Sequence, residues 1–146
     1  MVASSSECRK ESGLSDGSHA RYKYLHLHHK RPQSVLRQFG SFQVEDIGIS
    51  AITLAELEYG AARSAQPKKN RDALEEFISA LDVAAFDRQA TEAYGRIRAI
   101  LDKKGRPIGA MDLLIATHAL SLGVRLITNN EREFKQVPGL RVENWI

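Results

Sequence analysis

From about residue 31 onward, short apolar runs alternate with longer segments whose apolar residues recur at helical spacing. That alternation constrains the fold more than any other feature. A strand made of apolar residues throughout has no polar face, so it must be covered on both sides. Strands joined through helices pair in parallel, because a parallel partner needs a crossover long enough to hold a helix. The chain is therefore read as α/β, with helices on both faces of a mostly parallel sheet. Its 146 residues suit one domain.

The elements follow from periodicity and punctuation. Residues 32–39 read as a short helix, with Val35, Leu36 and Phe39 on one side. DIGISA, residues 46–51, reads as a strand. Thr53 reads as the cap of a helix over residues 53–64, and Glu56, three residues later, completes a capping box. Leu74, Phe77, Ile78 and Leu81 mark a helix over residues 69–81, and residues 83–86 form an apolar strand. Residues 88–104 form a long helix with Ala93, Ile97, Ile100 and Leu101 inward, stopped by Gly105 ahead of Pro107. A helix over residues 108–122 ends at Gly123. VRLIT, residues 124–128, is the next strand, followed by a short helix over 131–135 and a last strand over 140–145.

The first thirty residues differ in character. Val2 and Leu14 are the only bulky apolar side chains of residues 2–20, too few to offset the entropy of ordering. The expected division is an aberrant, poorly packed segment over residues 1–29 and a domain over residues 30–146. The N-terminus lacks the apolar core of a signal peptide, no run approaches a membrane span, and the lone Cys8 fits a reducing compartment. A cytoplasmic protein is the expectation. The net charge of +3 is compatible with a polyanionic partner without requiring one.

Asp112 is the most informative single residue. It lies inside the apolar run GAMDLLIATHAL, on one helical face with Ile108, Ile115 and Ala119. A carboxylate there is costly unless it is paired or bound to a cation. The plainer reading is an aspartate satisfied by the amides and dipole of a helix N-terminus. Glu56 carries a weaker signal, being equally a capping-box or solvent-facing glutamate, with Glu58 beside it. VRLIT runs directly into Asn129, Asn130, Glu131 and Glu133, where polar residues line a site or simply form a turn. Two carboxylates and an amide converging at strand ends suit a hard cation such as Mg²⁺ or Mn²⁺. Lys68, Lys69, Arg71, Arg96, Arg98, Lys103, Lys104 and Arg106 are either a rim for a phosphate backbone or ordinary solvated helix faces. His118, among Ala and Leu, reads as structural or surface rather than as a base. His26, His28 and His29 have no cysteine or acid beside them to complete a zinc site.

ISAITLAELEYGAARS, IGAMDLLIATHAL and RLITNNEREFKQVPGLRVENW resemble, in order and spacing, the successive motifs of VapC-type toxins of the PIN-domain ribonuclease family. The resemblance covers about residues 30–146. It implies a three-layer α/β/α PIN fold, RNA cleavage dependent on Mg²⁺ or Mn²⁺, a VapB-type antitoxin as partner, and a homodimer. Some members it resembles cut initiator tRNA, which makes that RNA one candidate substrate. By the same resemblance Glu56 and Asp112 match the second and third acidic positions as metal ligands. Asn130 stands where many members have a fourth acid, with Glu133 nearby, and Thr128 is the polar residue ending the strand.

One motif is absent. The family opens with a strand followed by D-T-N, whose Asp is a principal metal ligand, whereas here the segment reads RYKYLHLHHKRP. No acidic residue lies between Asp16 and Glu45. Synonymous codons for residues 15–29 exist whose reading one base later gives Q-M-D-L-M-L-D-T-N-I-C-I-Y-I. That reading restores a start, an apolar strand and D-T-N, and one lost base in the adenines of Lys30 returns the normal frame. The expectation is an impaired toxin with weakened metal binding, or an inactive relative that only binds antitoxin. YKYLHL, residues 22–27, could occupy the central strand position, and burying His26 and His28 there without partners predicts a weakened or partly unfolded domain.

Overall fold

The computed structural model describes Lys23–Leu25 and residues 47–144. The helix expected over residues 32–39, the division at residue 29, the histidines at 26, 28 and 29, and the ends of the strands reaching Asp46 and Trp145 lie outside them. In chain order the elements are β1 (Lys23–Leu25), β2 (Ile47–Ser50), α1 (Ala51–Ala62), α2 (Pro67–Ser79), β3 (Asp82–Ala84), α3 (Arg88–Lys103), α4 (Ala110–Leu122), β4 (Arg125–Ile127), α5 (Glu131–Phe134) and β5 (Val142–Glu143).

The strands form one sheet in the order β3-β2-β1-β4-β5, every neighbouring pair parallel. The central position goes to Lys23–Leu25, within the segment that lacks D-T-N. Leu25 pairs with Ile49 on one side and Ile127 on the other. The chain runs outward through β2 and β3, then crosses to β4 on the far side of β1. In such a sheet the reversal of strand order opens a crevice at the carboxyl ends of the strands.

Adjacent residues of β4 show the layers. Leu126 packs into a core with Ile97, Leu101, Leu113, Ile115, Ala116, Ala119 and Phe134, the face covered by α3 and α4. Ile127 packs with Ile47, Ile49, Leu74 and Phe77, the face covered by α1 and α2. Successive strand side chains point to opposite faces, so two cores flank one sheet. The expected three-layer α/β/α architecture is the one observed.

Local chemistry corrects several boundaries. Ser50, not Thr53, caps α1: its Oγ accepts from the Ile52 N–H at 3.1 Å. Thr53 falls on the inward side of the first turn and is fully buried. The capping box with Glu56 therefore does not form. Helix α2 starts at Pro67, two residues early, because proline at the first helical position sacrifices no hydrogen bond. β3 is the sheet edge, which leaves Val83 exposed where a buried strand was read. Helix α4 begins at Ala110 and not at Ile108, and Gly123 closes it with φ 67°, a conformation glycine adopts without strain. Among the described residues no helix is long and apolar enough to cross a membrane.

Phe134 is fully buried where α5 meets the α3/α4 core. Phe134→Ala is expected to lower unfolding free energy by about 3–5 kcal/mol. Urea unfolding checks this, and a loss below about 1 kcal/mol would mean that the site collapses around the cavity.

Candidate functional site

Three chain segments meet at the carboxyl edge of the sheet. The first is the β2–α1 junction, where strand passes into helix without a loop, so Ser50 belongs to both. The second is the turn after β4. The buried Thr128 Oγ1 accepts from the Asn130 N–H at 3.0 Å, folding the chain back as it leaves the strand. The third is the N-terminus of α4, where Gly109 occupies the cap position and offers no side-chain acceptor.

Asp112 lies in the first turn of α4, half-buried, where the helix dipole favours a negative charge. Its Oδ2 accepts a long contact of 3.5 Å from Asn130 Nδ2. Asn130 is the residue before α5 but does not cap it; its amide faces Asp112 instead. The structure thus brings together Asp112, Asn130 and Thr128. Glu56 is half-buried in the second turn of α1, a helix in contact with α4. Glu133 is half-buried in α5, and Glu58 half-buried on α1.

Asp112 and Glu56 are hard oxygen donors, the kind Mg²⁺ and Mn²⁺ select. Asp112 fits such an ion: a part-buried carboxylate at a strand-end crevice, with a neighbouring amide to orient it. The donors fit in kind and fall short in number. Among the described residues, no three of His, Cys, Asp and Glu come together to hold a metal.

The basic residues singled out as a rim are all exposed. Lys68 and Lys69 border a recess of about 460 Å³ with Gln66, Pro67 and Asp72, at the start of α2. Neither Glu56, Asp112 nor Asn130 lines it. Arg98 is occupied on its own helix, where it donates to the Tyr94 hydroxyl at 3.0 Å.

A profile of the PIN domain matches residues 22–140. The chain belongs to the PIN-domain family. It is 44% identical over 115 residues to the tRNA(fMet)-specific endonuclease VapC of Salmonella typhimurium, covering 79% of this chain and 86% of that protein. It is 46% identical over 99 residues to Ribonuclease VapC2 of Rickettsia felis, covering 68% of this chain and 74% of that one. The fold agrees. The crystal structure of DNA-bound VapBC from Salmonella typhimurium superposes with a TM-score of 0.72 at 38% identity, covering 86% of this chain and 99% of that one. This PIN domain is thus of the VapC type, the family that its motifs resemble.

One constellation escaped the sequence reading. His118, 1% exposed, hydrogen-bonds through Nδ1 to Ser50 Oγ at 2.8 Å. Its ring meets Phe86 edge-on, with centroids 5.3 Å apart. Ser50 Oγ also accepts from the Ile52 N–H, so one hydroxyl serves both the start of α1 and the His118 ring, with the direction of the second bond set by the ring's tautomer. Nε2 makes no hydrogen bond of normal geometry among the described residues, although the Ala85 carbonyl is close enough to favour the protonated ring. A polar side chain in a helix buried on nearly every side needs a partner, which was the available signal.

Burial pushes His118 below the ordinary histidine value of 6.5, opposed by the Ala85 carbonyl and the Asp87 carboxylate. The unfolded chain therefore takes up a proton that the folded chain refuses. This contribution is fully present above pH 6.5 and is lost as pH falls from there toward the lower folded value. Stability followed by urea unfolding is expected to decline as pH falls below 6.5, and His118→Asn is expected to flatten that decline. An unchanged slope in the variant would assign it to other groups.

Proposed function

We propose that this chain is the toxin component of a VapBC-type pair, built for metal-dependent RNA cleavage and weakened by loss of its first metal ligand. The observation carrying the reading is the placement of Asp112. It sits at the N-terminus of α4, faced by Asn130 across the crevice, in a chain 44% identical to a tRNA-specific endonuclease. Glu56 and Asp112 would hold Mg²⁺ or Mn²⁺, and Asn130 would orient Asp112. When bound, the cation supplies an activated water and neutralises charge developing on the phosphodiester. Exposed lysines and arginines would bind the RNA backbone, with initiator tRNA the first substrate to try. Residues 1–29 are proposed to be the product of a shifted reading frame, with the functional domain following.

A second reading is an inactive relative that only captures a VapB-type antitoxin. The absence, among the described residues, of a three-ligand cluster favours it. Two crystal structures of relatives are VapBC complexes bound to DNA, which supports antitoxin capture under either reading.

The test is cleavage of initiator tRNA in Mn²⁺ by the chain and by Asp112→Asn, alongside co-purification with a VapB-type antitoxin. The ribonuclease reading expects slow cleavage that falls at least about tenfold in the variant. Antitoxin capture with no cleavage supports the second reading. Equal cleavage by both proteins contradicts the assignment of Asp112.

A further inference from the structure

We propose that His118 is a positioning residue for Glu56, acting through Ser50. This rests on the reading of Glu56 and Asp112 as the surviving acidic pair. Helix α4 carries both Asp112 and His118, six residues apart. Helix α1 carries Glu56 and begins at Ser50. A buried side-chain hydrogen bond joins the start of α1 to α4, from Ser50 Oγ to His118 Nδ1, across 68 positions of sequence.

The bond has consequences because of what Ser50 already does. Its Oγ accepts from the Ile52 N–H and so defines the first turn of α1. By holding the same oxygen, His118 fixes the helix start against α4. It also fixes it against the sheet, since Ser50 is the last residue of β2, in register with Ala84 of β3. The ring's other neighbours, Ala85, Phe86 and Asp87, form the passage from β3 into α3, where Asp87 Oδ1 caps α3 by accepting from the Ala90 N–H at 3.1 Å. One side chain thus ties two helix starts to the helix that bears Asp112. A misplacement of about 1 Å at such a site is enough to matter.

The experiment measures amide hydrogen exchange along the full chain, and Mn²⁺ affinity by calorimetry, for the parent, His118→Asn, His118→Gln, His118→Leu and Ser50→Ala. Asparagine places an amide where Nδ1 was and reaches Ser50; glutamine places it where Nε2 was and does not. The Asn and Gln variants bury similar groups, so the comparison survives if the Leu variant fails to fold. Exchange at residues 52–56 is expected to quicken at least about tenfold in Gln, Leu and Ser50→Ala, with α3 beyond its first turn unchanged and Asn near the parent. Mn²⁺ affinity is expected to weaken in the same variants and to be kept in Asn. Unchanged exchange in α1, or equal effects of Asn and Gln, overturns the proposal. So does faster exchange in α1 with Mn²⁺ affinity unmoved. If the parent and Asp112→Asn bind Mn²⁺ equally weakly, the metal reading fails by itself, and the exchange pattern alone decides the role of His118.

Discussion

The carboxyl edge of the sheet depends on a buried hydrogen bond, Ser50 Oγ to His118 Nδ1. A buried polar group without a partner costs about 1–3 kcal/mol, so serine and histidine each stabilise the other's presence in the core. The bond lies where strand, helix cap and neighbouring helix coincide. β2 delivers Ser50, Ser50 starts α1, and α4 supplies the ring that holds it. The two helices bearing Glu56 and Asp112 sit mainly on opposite faces of the sheet, and they are joined at this edge. Thr128 and Asn130 build the other wall of the crevice by the same kind of local chemistry, a hydroxyl that turns the chain and an amide turned toward the carboxylate.

Much of this was legible in the sequence. The helices and strands expected after residue 46 are present, with ends displaced by a few residues, because period and punctuation report on local geometry. Asp112 stood out because a carboxylate within an apolar run needs a reason. Asn130 and Thr128 stood out because they follow a buried strand. The rest depended on tertiary position. Thr53 reads as a cap only while the strand is taken to end after Ser50; once Ser50 belongs to both elements, Thr53 turns inward. Val83 reads as buried until the strand order places β3 at the edge. Ser50 and His118 each have a plain local reading, and only their contact gives them a role.

The acidic set is where family and chain part. The profile match begins at residue 22, and β1 at Lys23–Leu25 takes the central place in the sheet. Its sequence, KYL, is not the apolar run that a doubly covered central strand favours. In the proposed site, the ligands would then come from α1 and α4, beside the turn after β4. What the chain does not offer near β1 is a carboxylate, since none lies between Asp16 and Glu45. Two hard donors hold Mg²⁺ or Mn²⁺ less well than three, because each missing carboxylate leaves charge on the ion to be met by water.

The most direct measurement is the Mn²⁺ affinity of this chain beside a version in which residues 15–29 are replaced by the shifted-frame reading, Q-M-D-L-M-L-D-T-N-I-C-I-Y-I. If the scaffold is intact and lacks one ligand, the replacement strengthens Mn²⁺ binding at least about tenfold, and Asp112→Asn in the restored protein removes the gain. Equal affinity in the two proteins would contradict the account, because Asp112 and Glu56 would then not be the remaining part of a metal site.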